Sequence, residues 1–369
     1  MSNILRKFNK VAVICELNPP HSGHARLVAE VRRAHPDSTI AAIMSGNFVQ
    51  RGEPAIFPKH ARAVAALELG FDLVIELPTE YVLSSAERFA RAGVTLAASL
   101  GVEALAFGAE CGDLDALCSV AGAMNTPKCD ELTRAALTEG VSYAAARQRA
   151  LQSLLGGGAD VLRSPNNLLA IEYIRAARTL APSMKHFCIK REPGVTATAE
   201  RAAIRASGDA TAMLPENLDV AVLSRLRTMT LADFARISGG EDGVAERTAR
   251  YAADAATIAE LADLVKSKRH AHSRIRRFIL AAALGLERET AAEPQYLRVL
   301  AANERGRVAL RELRVADEAA TIITKPAAAK PLLQLEAAAT DLYNLGNRAP
   351  VQRKGGAEWR ISPCFLERK

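Results

Sequence analysis

Short apolar and β-branched runs alternate with helical patterns as far as about residue 190. The runs predict strands at residues 11–17, 39–44, 73–77, 103–107 and 185–189. Apolar residues at helical spacing predict helices at residues 23–34, 59–69, 84–100 and 167–179, with further helices inserted at 113–155. Because strands that alternate with helices usually form a parallel sheet covered on both faces, we predict a Rossmann-like, doubly wound α/β fold.

The pattern changes after residue 200, where helical stretches rich in Ala, Arg and Glu dominate. They lie at residues 214–236, 243–266 and 271–286. A small βαβ-like piece follows, with strands at 296–301 and 320–324 on either side of a helix at 305–314. We therefore predict two domains, an α/β domain at 1–205 and a mostly helical domain at 206–369 that carries the βαβ-like piece.

The composition is that of a soluble globular protein, with 49% hydrophobic and 24% charged residues among 369. No segment approaches the ~20 apolar residues of a membrane span, so we expect a cytoplasmic protein that does not associate with membranes. The six cysteines form no C-x-x-C pair, and neither a zinc site nor a disulfide framework is indicated. The net charge of +7 is modest and suggests an anionic partner.

The first predicted strand runs into the loop Asn18-Pro19-Pro20-His21-Ser22-Gly23-His24, and a helix follows. The prolines make the turn rigid, and Gly23 lets backbone approach a ligand closely. The N-terminus of the helix offers free N–H groups and a positive dipole end, which suit a phosphate. His21 and His24 are three residues apart, so both imidazoles can face the same side and donate hydrogen bonds to phosphate oxygens. The alternative is a solvated turn with two surface histidines.

A second polar loop follows the second predicted strand. Its candidate substrate-contacting residues are Ser45, Gly46, Asn47, Gln50 and Arg51. Because the carboxyl ends of strands line the ligand crevice of a doubly wound sheet, we expect this loop of small, flexible and polar groups to meet the histidine loop. An ordinary connection would have about 2–6 residues, and this one is longer. Lys59 and Arg62 then open the next helix, where they either reach a triphosphate or form a solvated face.

The histidine loop resembles the H-x-G-H motif of the nucleotidylyltransferase superfamily. Over nearly its whole length, the chain is similar to the bacterial tRNA(Met) cytidine acetate ligase family. The similarity is carried by residues 16–24 (ELNPPHSGH), 44–55 (MSGNFVQRGEPA), 85–90 (SAERFA), 107–110 (FGAE), 164–167 (SPNN) and 189–191 (IKR). The resemblance implies a nucleotidyltransferase-type fold and an ATP-dependent ligase. That ligase would form acetyl-adenylate and acetylate the wobble cytidine of elongator tRNA(Met), giving N4-acetylcytidine, AMP and pyrophosphate.

The resemblance also implies a set of site residues. The implied ATP contacts are Val13, Glu16, Asn18, Pro19, His21, Gly23, His24, Gly108, Asn166, Asn167 and Arg191. The implied catalytic residues are His21, His24, Arg191 and Arg201. Only one of the two asparagines is expected at the nucleotide; both are also reasonable helix caps, and Gly108 is alternatively a simple strand terminator.

Arg191 and Arg201 are the candidate anion-binding arginines. A guanidinium at the end of the fifth strand suits phosphate, because its planar fork of donors matches the oxygens. Residues 196–201 (TATAER) resemble a second phosphate-binding motif, in which Arg201 would neutralise the departing pyrophosphate. The chain departs from the family by a shortened segment, residues 192–195, and by Leu17, Pro20 and Ser22.

A strongly basic segment spans residues 266–277 and contains no acidic residue. An RNA backbone needs such unbalanced positive charge. The family pattern matches here, and it implies tRNA contacts by Lys268, Arg269, Arg274, Arg276 and Arg277. The alternative is a solvated helix whose other face, with Ile275, Phe278 and Ile279, packs on the protein.

The implied chemistry needs no Ser-His-Asp or Cys-His arrangement, because the acetate carboxylate is itself a nucleophile. The protein supplies alignment and charge stabilisation. We expect ATP as a substrate, Mg²⁺ with its triphosphate but no dedicated protein metal site, elongator tRNA(Met) and acetate as partners, and no identifiable protein partner. Two other functions remain open: a metabolite adenylyl- or cytidylyltransferase, and an RNA-binding protein with a degenerate nucleotide pocket.

Overall fold

The computed structural model describes residues 9–192, 196–288, 291–315 and 321–367. The strands are β1 (Lys10–Cys15), β2 (Thr39–Ser45), β3 (Phe48–Val49), β4 (Glu53–Pro54), β5 (Leu73–Leu77), β6 (Ala104–Ala109), β7 (Lys185–Lys190), β8 (Tyr296–Ala302), β9 (Thr321–Ile323) and β10 (Cys364–Phe365). Each of the five predicted strands of the α/β part is present, with ends shifted by one or two residues.

The helices cover the sheet and build the C-terminal part. They are α1 (Ser22–Ala34), α2 (Lys59–Glu68), α3 (Thr79–Val82), α4 (Ala86–Ser99), α5 (Leu114–Met124), α6 (Pro127–Leu137), α7 (Tyr143–Leu155), α8 (Pro165–Leu180), α9 (Ala197–Ser207), α10 (Asp219–Arg227), α11 (Leu231–Arg236), α12 (Val244–Tyr251), α13 (Ile258–Val265), α14 (His272–Leu284), α15 (Glu304–Val315) and α16 (Gln334–Leu345). Short 3-10 segments lie at Gly156–Arg163, Pro215–Leu218, Pro326–Leu332, Pro350–Arg353 and Ala357–Trp359.

The central sheet confirms the predicted α/β fold class. Its order is β10-β8-β5-β2-β1-β6-β7, and the pairs from β5 to β7 are all parallel. The connection order reverses at β1, which pairs with β2 along its whole length but with β6 only at Val11 and Ala12. The two strands therefore separate before their carboxyl ends, and they leave a crevice at the place where doubly wound sheets bind ligands.

The βαβ-like piece is present but joins the central sheet. β8 runs antiparallel to β5, and both β9 and β10 pair with β8 in parallel. Its strand Tyr296–Ala302 is buried throughout, because its two faces pack into the two hydrophobic cores of the central sheet. The predicted assignment of this piece to a separate helical domain therefore differs from the observed topology. The boundary at residue 205 stays a prediction.

Of the three long helices predicted after residue 200, those at 214–236 and 243–266 are each broken into shorter ones, whereas 271–286 is present as the single helix α14. Thr230 starts α11 by a reciprocal bond pair, because its hydroxyl accepts from Asp233 N and the Asp233 carboxylate accepts from Thr230 N. Thr257 caps α13 by accepting from Glu260 N. Such side-chain caps satisfy N–H groups that a continuous helix would bond internally, so they set new starting points. The helices pack around α14, whose Phe278 and Ile279 are buried at their centre.

Candidate functional site

His21 and His24 lie together at the start of α1, at the mouth of the crevice. His21 is the N-cap, and its Nδ1 accepts a hydrogen bond from Gly23 N at 3.0 Å. His24 Nδ1 accepts from His21 N at 3.2 Å, and the ring centroids are 3.9 Å apart. A Cβ on Gly23 would lie 2.9 Å from the His21 ring, so glycine lets the imidazole fold back over the turn. The expectation that both rings share one side of the turn is confirmed.

These hydrogen bonds fix where each ring carries its proton. A neutral imidazole has one donor and one acceptor nitrogen. Since Nδ1 accepts in both His21 and His24, both rings carry the proton on Nε2, the atom left free to donate. Burial, assisted by the neighbouring His21 and Arg191, lowers the pKa of His24 to about 3. Burial and Arg191 also lower the pKa of His21. The pair therefore presents two neutral N–H donors at neutral pH.

Acid should destabilise the protein through His24. The pKa of His24 is about 3 when folded against an ordinary 6.5, so between these values only the unfolded state binds the proton, and stability falls as pH falls below 6.5. From pH 6.5 to pH 5 the loss from this group is about 2 kcal/mol. The check is urea unfolding of wild type and His24→Asn, which keeps an acceptor for His21 N. The variant should show the shallower slope of unfolding free energy against pH, and equal slopes would contradict the assignment.

The loop before the histidines is held by backbone and side-chain contacts. Asn18 is buried, and its Oδ1 accepts from Ile56 N at 2.7 Å while its carbonyl accepts from Arg201 Nη1 at 2.7 Å. Pro19 follows through a cis peptide bond. Val13 is buried in the sheet core beneath the loop. The structure thus brings Arg201, which is distant in sequence, onto the histidine loop.

Arg191 lies on the opposite wall of the crevice, at the end of β7. Its backbone N–H donates to Ala109 O at 2.9 Å, and a Cβ on Gly108 would lie 3.2 Å from its side chain. Gly108 therefore leaves room for the arginine at the carboxyl end of β6. Arg191 lowers the pKa of both histidines, which places its positive charge beside them. Residues 193–195, most of the shortened segment, lie outside the described residues.

The two asparagines of α8 are not its N-caps; Ser164 is, and its side chain makes no capping hydrogen bond. Asn166 Nδ2 donates to Glu110 Oε1 at 2.6 Å, and the same carboxylate accepts from Asn167 N at 3.1 Å. Asn167 is buried, and both ends of its amide are engaged, with Cys111 N and Val161 O. Asn166 is only half-buried. Glu110, which sequence reasoning did not single out, therefore organises this wall, and its signal was its place in the FGAE motif.

The segment 45–54, here called the substrate loop, is a well-packed hairpin and not a flexible connection. Its base is buried: Asn47 Oδ1 accepts from Lys59 N, and its Nδ2 donates to Thr340. β3 and β4 form the hairpin arms. At the tip, Gln50 N donates to Glu16 Oε1 at 2.8 Å. Of the five candidates, only Gln50 and the exposed Arg51 therefore lie at the tip, while Ser45, Gly46 and Asn47 form the base.

Lys59 and Arg62 neither form a solvated face nor reach out for a phosphate. Arg62 is buried and donates to the carbonyls of Glu16, Ser45 and Gly46, so it joins the two loops from below. Lys59 is buried in an ion-pair cluster with Glu76 and Glu358. The local helical pattern predicted an exposed start because the partners of both side chains are remote in sequence.

The Lys59 cluster lies beneath the substrate loop. Lys59 Nζ lies 2.7 Å from Glu76 Oε1 and 2.7 Å from Glu358 Oε2, and all three side chains are at most 1% exposed. Arg298 adds a second cation 3.5 Å from Glu358. Burial disfavours the charge of Lys59, yet the two carboxylates keep its pKa above the ordinary value. Paired in this way, the charges are compensated inside the fold.

The basic segment is divided by its contacts. Arg274 pairs with Asp242 at 3.0 Å, Arg276 forms an ion pair with Glu53, and Arg277 donates to Gln50 O at 3.0 Å. Lys268 and Arg269 lie in the turn before α14 and are exposed, and neither makes an ion pair within the described ranges. The fold thus supplies acidic partners that the local sequence lacks.

Within the part of the chain that the structure describes, no group of three or more His, Cys, Asp or Glu side chains is placed to hold a metal ion. In the same ranges, no helix has both the length and the apolar character of a membrane span.

Comparison with known proteins places this site in a family. A model described as HIGH Nucleotidyl Transferase matches residues 8–212 and 196–358. The tRNA(Met) cytidine acetate ligase of Caldanaerobacter subterraneus is 34% identical, covering 91% of this chain and 94% of its own. That of Exiguobacterium is 33% identical, covering 98% and 100%. The crystal structure of Thermotoga maritima TmcAL bound with alpha-thio ATP superposes with a TM-score of 0.90 at 28% identity, covering 98% and 100%. The chain therefore belongs to the HIGH nucleotidyl transferases and, within them, to the tRNA(Met) cytidine acetate ligase family.

Proposed function

We propose that this protein is an ATP-dependent ligase that joins acetate to the N4 amine of the wobble cytidine of elongator tRNA(Met). The observation that carries the proposal is the pair of neutral imidazoles at the N-terminus of α1, with free Nε2 donors and two arginines beside them. Such a site binds a phosphate and stabilises charge that develops on it. The relatives' names supply the acceptor, tRNA(Met), and the acyl donor, acetate.

ATP is the nucleotide that this crevice takes. Its phosphates lie at the N-terminus of α1, within reach of His21 and His24. Asn166, half-buried with its Nδ2 donating to Glu110, is the asparagine that contacts the nucleotide, because Asn167 is buried with both ends of its amide engaged. Mg²⁺ would come with the triphosphate and would neutralise part of its charge, as in other phosphoryl transfers.

The first step forms acetyl-adenylate. An acetate oxygen attacks the α-phosphorus of ATP, a new P–O bond forms, and pyrophosphate leaves with the electrons of the broken P–O bond. The protein aligns the reactants and stabilises the charge. His21 and His24 donate to phosphate oxygens through Nε2, and Arg191 and Arg201 stabilise the departing pyrophosphate with their guanidinium groups.

The second step transfers the acetyl group to RNA. The N4 amine of cytidine attacks the acetyl carbonyl, AMP leaves, and the amine proton passes to a base, for which the phosphate of AMP or water suffices. Gln50 and Arg51 lie at the tip of the substrate loop, where Gln50 N donates to Glu16, and they guide the acetyl group or the incoming base.

Positioning of the tRNA falls to the exposed part of the basic segment. Lys266, Lys268 and Arg269 are exposed on one turn between α13 and α14, beside a surface groove that His270 also lines. Backbone phosphates supply most of the affinity in such contacts without reading sequence. Arg274 is half-buried against Asp242, so it contributes less.

Changing Lys268 and Arg269 together to alanine should weaken tRNA binding and flatten its salt dependence. Two phosphate contacts are lost, so the slope of log K against log salt should decrease by roughly 1.5 to 2. The measurement is fluorescence titration of labelled tRNA over a salt series. Arg250→Ala, which removes an exposed arginine of α12 outside the segment, is the matched control and should leave the slope as it is. An unchanged slope in the double variant would mean that these residues do not contact RNA and only form a solvated helix start.

One assay tests the whole function. Purified protein, labelled acetate, ATP and bulk tRNA are incubated, and the nucleosides are analysed for N4-acetylcytidine. Acetate-dependent exchange of pyrophosphate into ATP then isolates the first step. Exchange supported by a phosphate ester in place of acetate would indicate a metabolite nucleotidyltransferase. Absence of ATP binding in calorimetry would indicate an RNA-binding protein with a degenerate pocket.

A further inference from the structure

Two arginines in the first turns of α14 face the substrate loop. The Arg276 guanidinium forms an ion pair with Glu53, and Arg277 Nη1 donates to Gln50 O at 3.0 Å. Burial lowers the pKa of Arg277 to about 10, as expected for a guanidinium enclosed by protein. Both side chains thus meet protein groups that lie more than 200 residues earlier in the chain.

The backbones of the loop and the helix are also in direct contact. Gly52, at the hairpin tip, has φ +75°, and a Cβ there would lie 2.4 Å from Arg277 N and 2.7 Å from Arg276 C. A side chain at position 52 is therefore strained by φ and also collides with helix backbone. Phe48, on the first hairpin arm, packs into the same helical core as Ile279. Gln50, Gly52 and Glu53 thus seat the tip of the loop on α14.

The opposite side of the loop contacts the histidine loop. Gln50, whose carbonyl accepts from Arg277, donates its own N–H to Glu16 Oε1 at 2.8 Å. Beyond the hairpin, Ile56 N donates to Asn18 Oδ1 at 2.7 Å. The substrate loop is thus clamped between α14 and the residues that precede His21.

The Arg276 ion pair also neutralises a carboxylate, Glu53, that acts on Arg201. The carboxylates of Glu53 and Glu16 attract the positive charge of Arg201, and the guanidinium of Arg51 repels it. If Arg276 is removed, the Glu53 carboxylate loses its partner and competes for the cations that would otherwise face phosphate. An unpaired carboxylate near a triphosphate weakens its binding.

We propose that Arg276 and Arg277 are positioning residues for adenylation, which hold the substrate loop against the histidine loop and neutralise Glu53, and are not contacts to RNA. The proposal rests on the proposed function and assigns these two arginines differently from the sequence pattern, which grouped them with Lys268 and Arg269. α14 thus joins the turn that faces the tRNA to the loop that faces ATP.

Acetate-dependent pyrophosphate exchange without tRNA tests the proposal. Arg276→Ala and Arg277→Ala should each raise the KM for ATP about tenfold, the worth of one lost charge-assisted hydrogen bond, while tRNA affinity stays at the wild-type value. Glu53→Gln should restore most of the KM in the Arg276→Ala background, because it removes the unpaired carboxylate. Gly52→Ala should act like the arginine variants, and Arg250→Ala should change neither quantity. Circular dichroism confirms that each variant is folded.

The opposite result overturns the proposal. Lower tRNA affinity with an unchanged KM for ATP would make Arg276 and Arg277 RNA contacts. Hydrogen exchange of residues 46–53, measured without any substrate, separates this failure from failure of the proposed function. The amides of this segment should exchange about tenfold faster in Arg277→Ala than in wild type, as one hydrogen bond is lost. If these amides exchange equally fast in Arg277→Ala and in wild type, the positioning role is overturned, whether or not the wild-type protein has acetate-dependent activity. A lack of acetate-dependent activity in the wild-type protein would by itself reject only the proposed function.

Discussion

His24→Ala is expected to lower acetate-dependent pyrophosphate exchange by about 10²–10³-fold, because one preorganised donor to the developing phosphate charge is lost. The donor is Nε2–H, since Nδ1 already accepts from His21 N. The ring is already neutral at working pH and does not have to lose a proton, because burial lowers the pKa of His24 to about 3. The measurement is exchange of labelled pyrophosphate into ATP at saturating acetate, with unfolding monitored alongside.

His24→Asn separates catalysis from helix capping. The asparagine amide keeps an acceptor for the His21 backbone N–H, so the start of α1 is retained. It loses the imidazole donor, so its exchange rate should be as low as that of the alanine variant. Recovery of activity in the asparagine variant would show that His24 acts by shaping the turn and not by donating to phosphate.

Lys59→Met is expected to destabilise the fold by about 3–5 kcal/mol, because it leaves two buried carboxylates without their shared cation. Glu76 and Glu358 both lie 2.7 Å from Lys59 Nζ, and none of the three is more than 1% exposed. The check is urea unfolding at pH 7. Lys10→Met is the matched control: its ion pair with Glu312 at 3.4 Å is partly exposed, with 19% and 61% of the side chains accessible. Its loss should cost under about 1 kcal/mol.

The loss of unfolding free energy in Lys59→Met, relative to wild type, should depend on pH. In the wild type, burial already raises the pKa of Glu76 above 4.5, whereas despite burial Lys59 and Arg298 hold the pKa of Glu358 below it. Without the lysine both folded pKa values rise, because its attraction for the ionised carboxylates is lost. The folded state then binds more protons than the unfolded state, and stability is lost as pH rises above 4.5. The deficit is therefore larger at pH 7 than at pH 5. A deficit that is independent of pH would mean that lost packing, and not uncompensated charge, is the cause.

Sequence alone located the histidine loop because everything that defines it is contiguous. His21, Gly23 and His24 lie within one turn, so their spacing predicts their geometry. The crevice was also predictable, since strands that alternate with helices place their carboxyl ends together. Arg191 and Gly108 were expected at strand ends, and their roles at the nucleotide were implied by the resemblance to the family and stay predictions.

Features that depend on remote partners were not predictable in this way. Lys59 has the local pattern of an exposed helix start, and its burial depends on two carboxylates that are remote in sequence, Glu76 and Glu358. Arg276 and Arg277 belong to a basic run, yet Glu53 and Gln50 give them protein partners. The βαβ-like piece likewise has the right elements, but its pairing with β5 has no local signal.

The antiparallel pairing of β8 with β5 has a consequence for biosynthesis. On the ribosome, β5 is complete long before β8 emerges, so the nascent α/β half carries an open sheet edge of unpaired N–H and C=O groups. Exposed edges of this kind recruit other strands, and chains held in such a state are prone to aggregate. The central sheet is therefore complete only after the C-terminal strands have been synthesised. A fragment that stops at residue 205 lacks this cover and should need a chaperone to stay in solution.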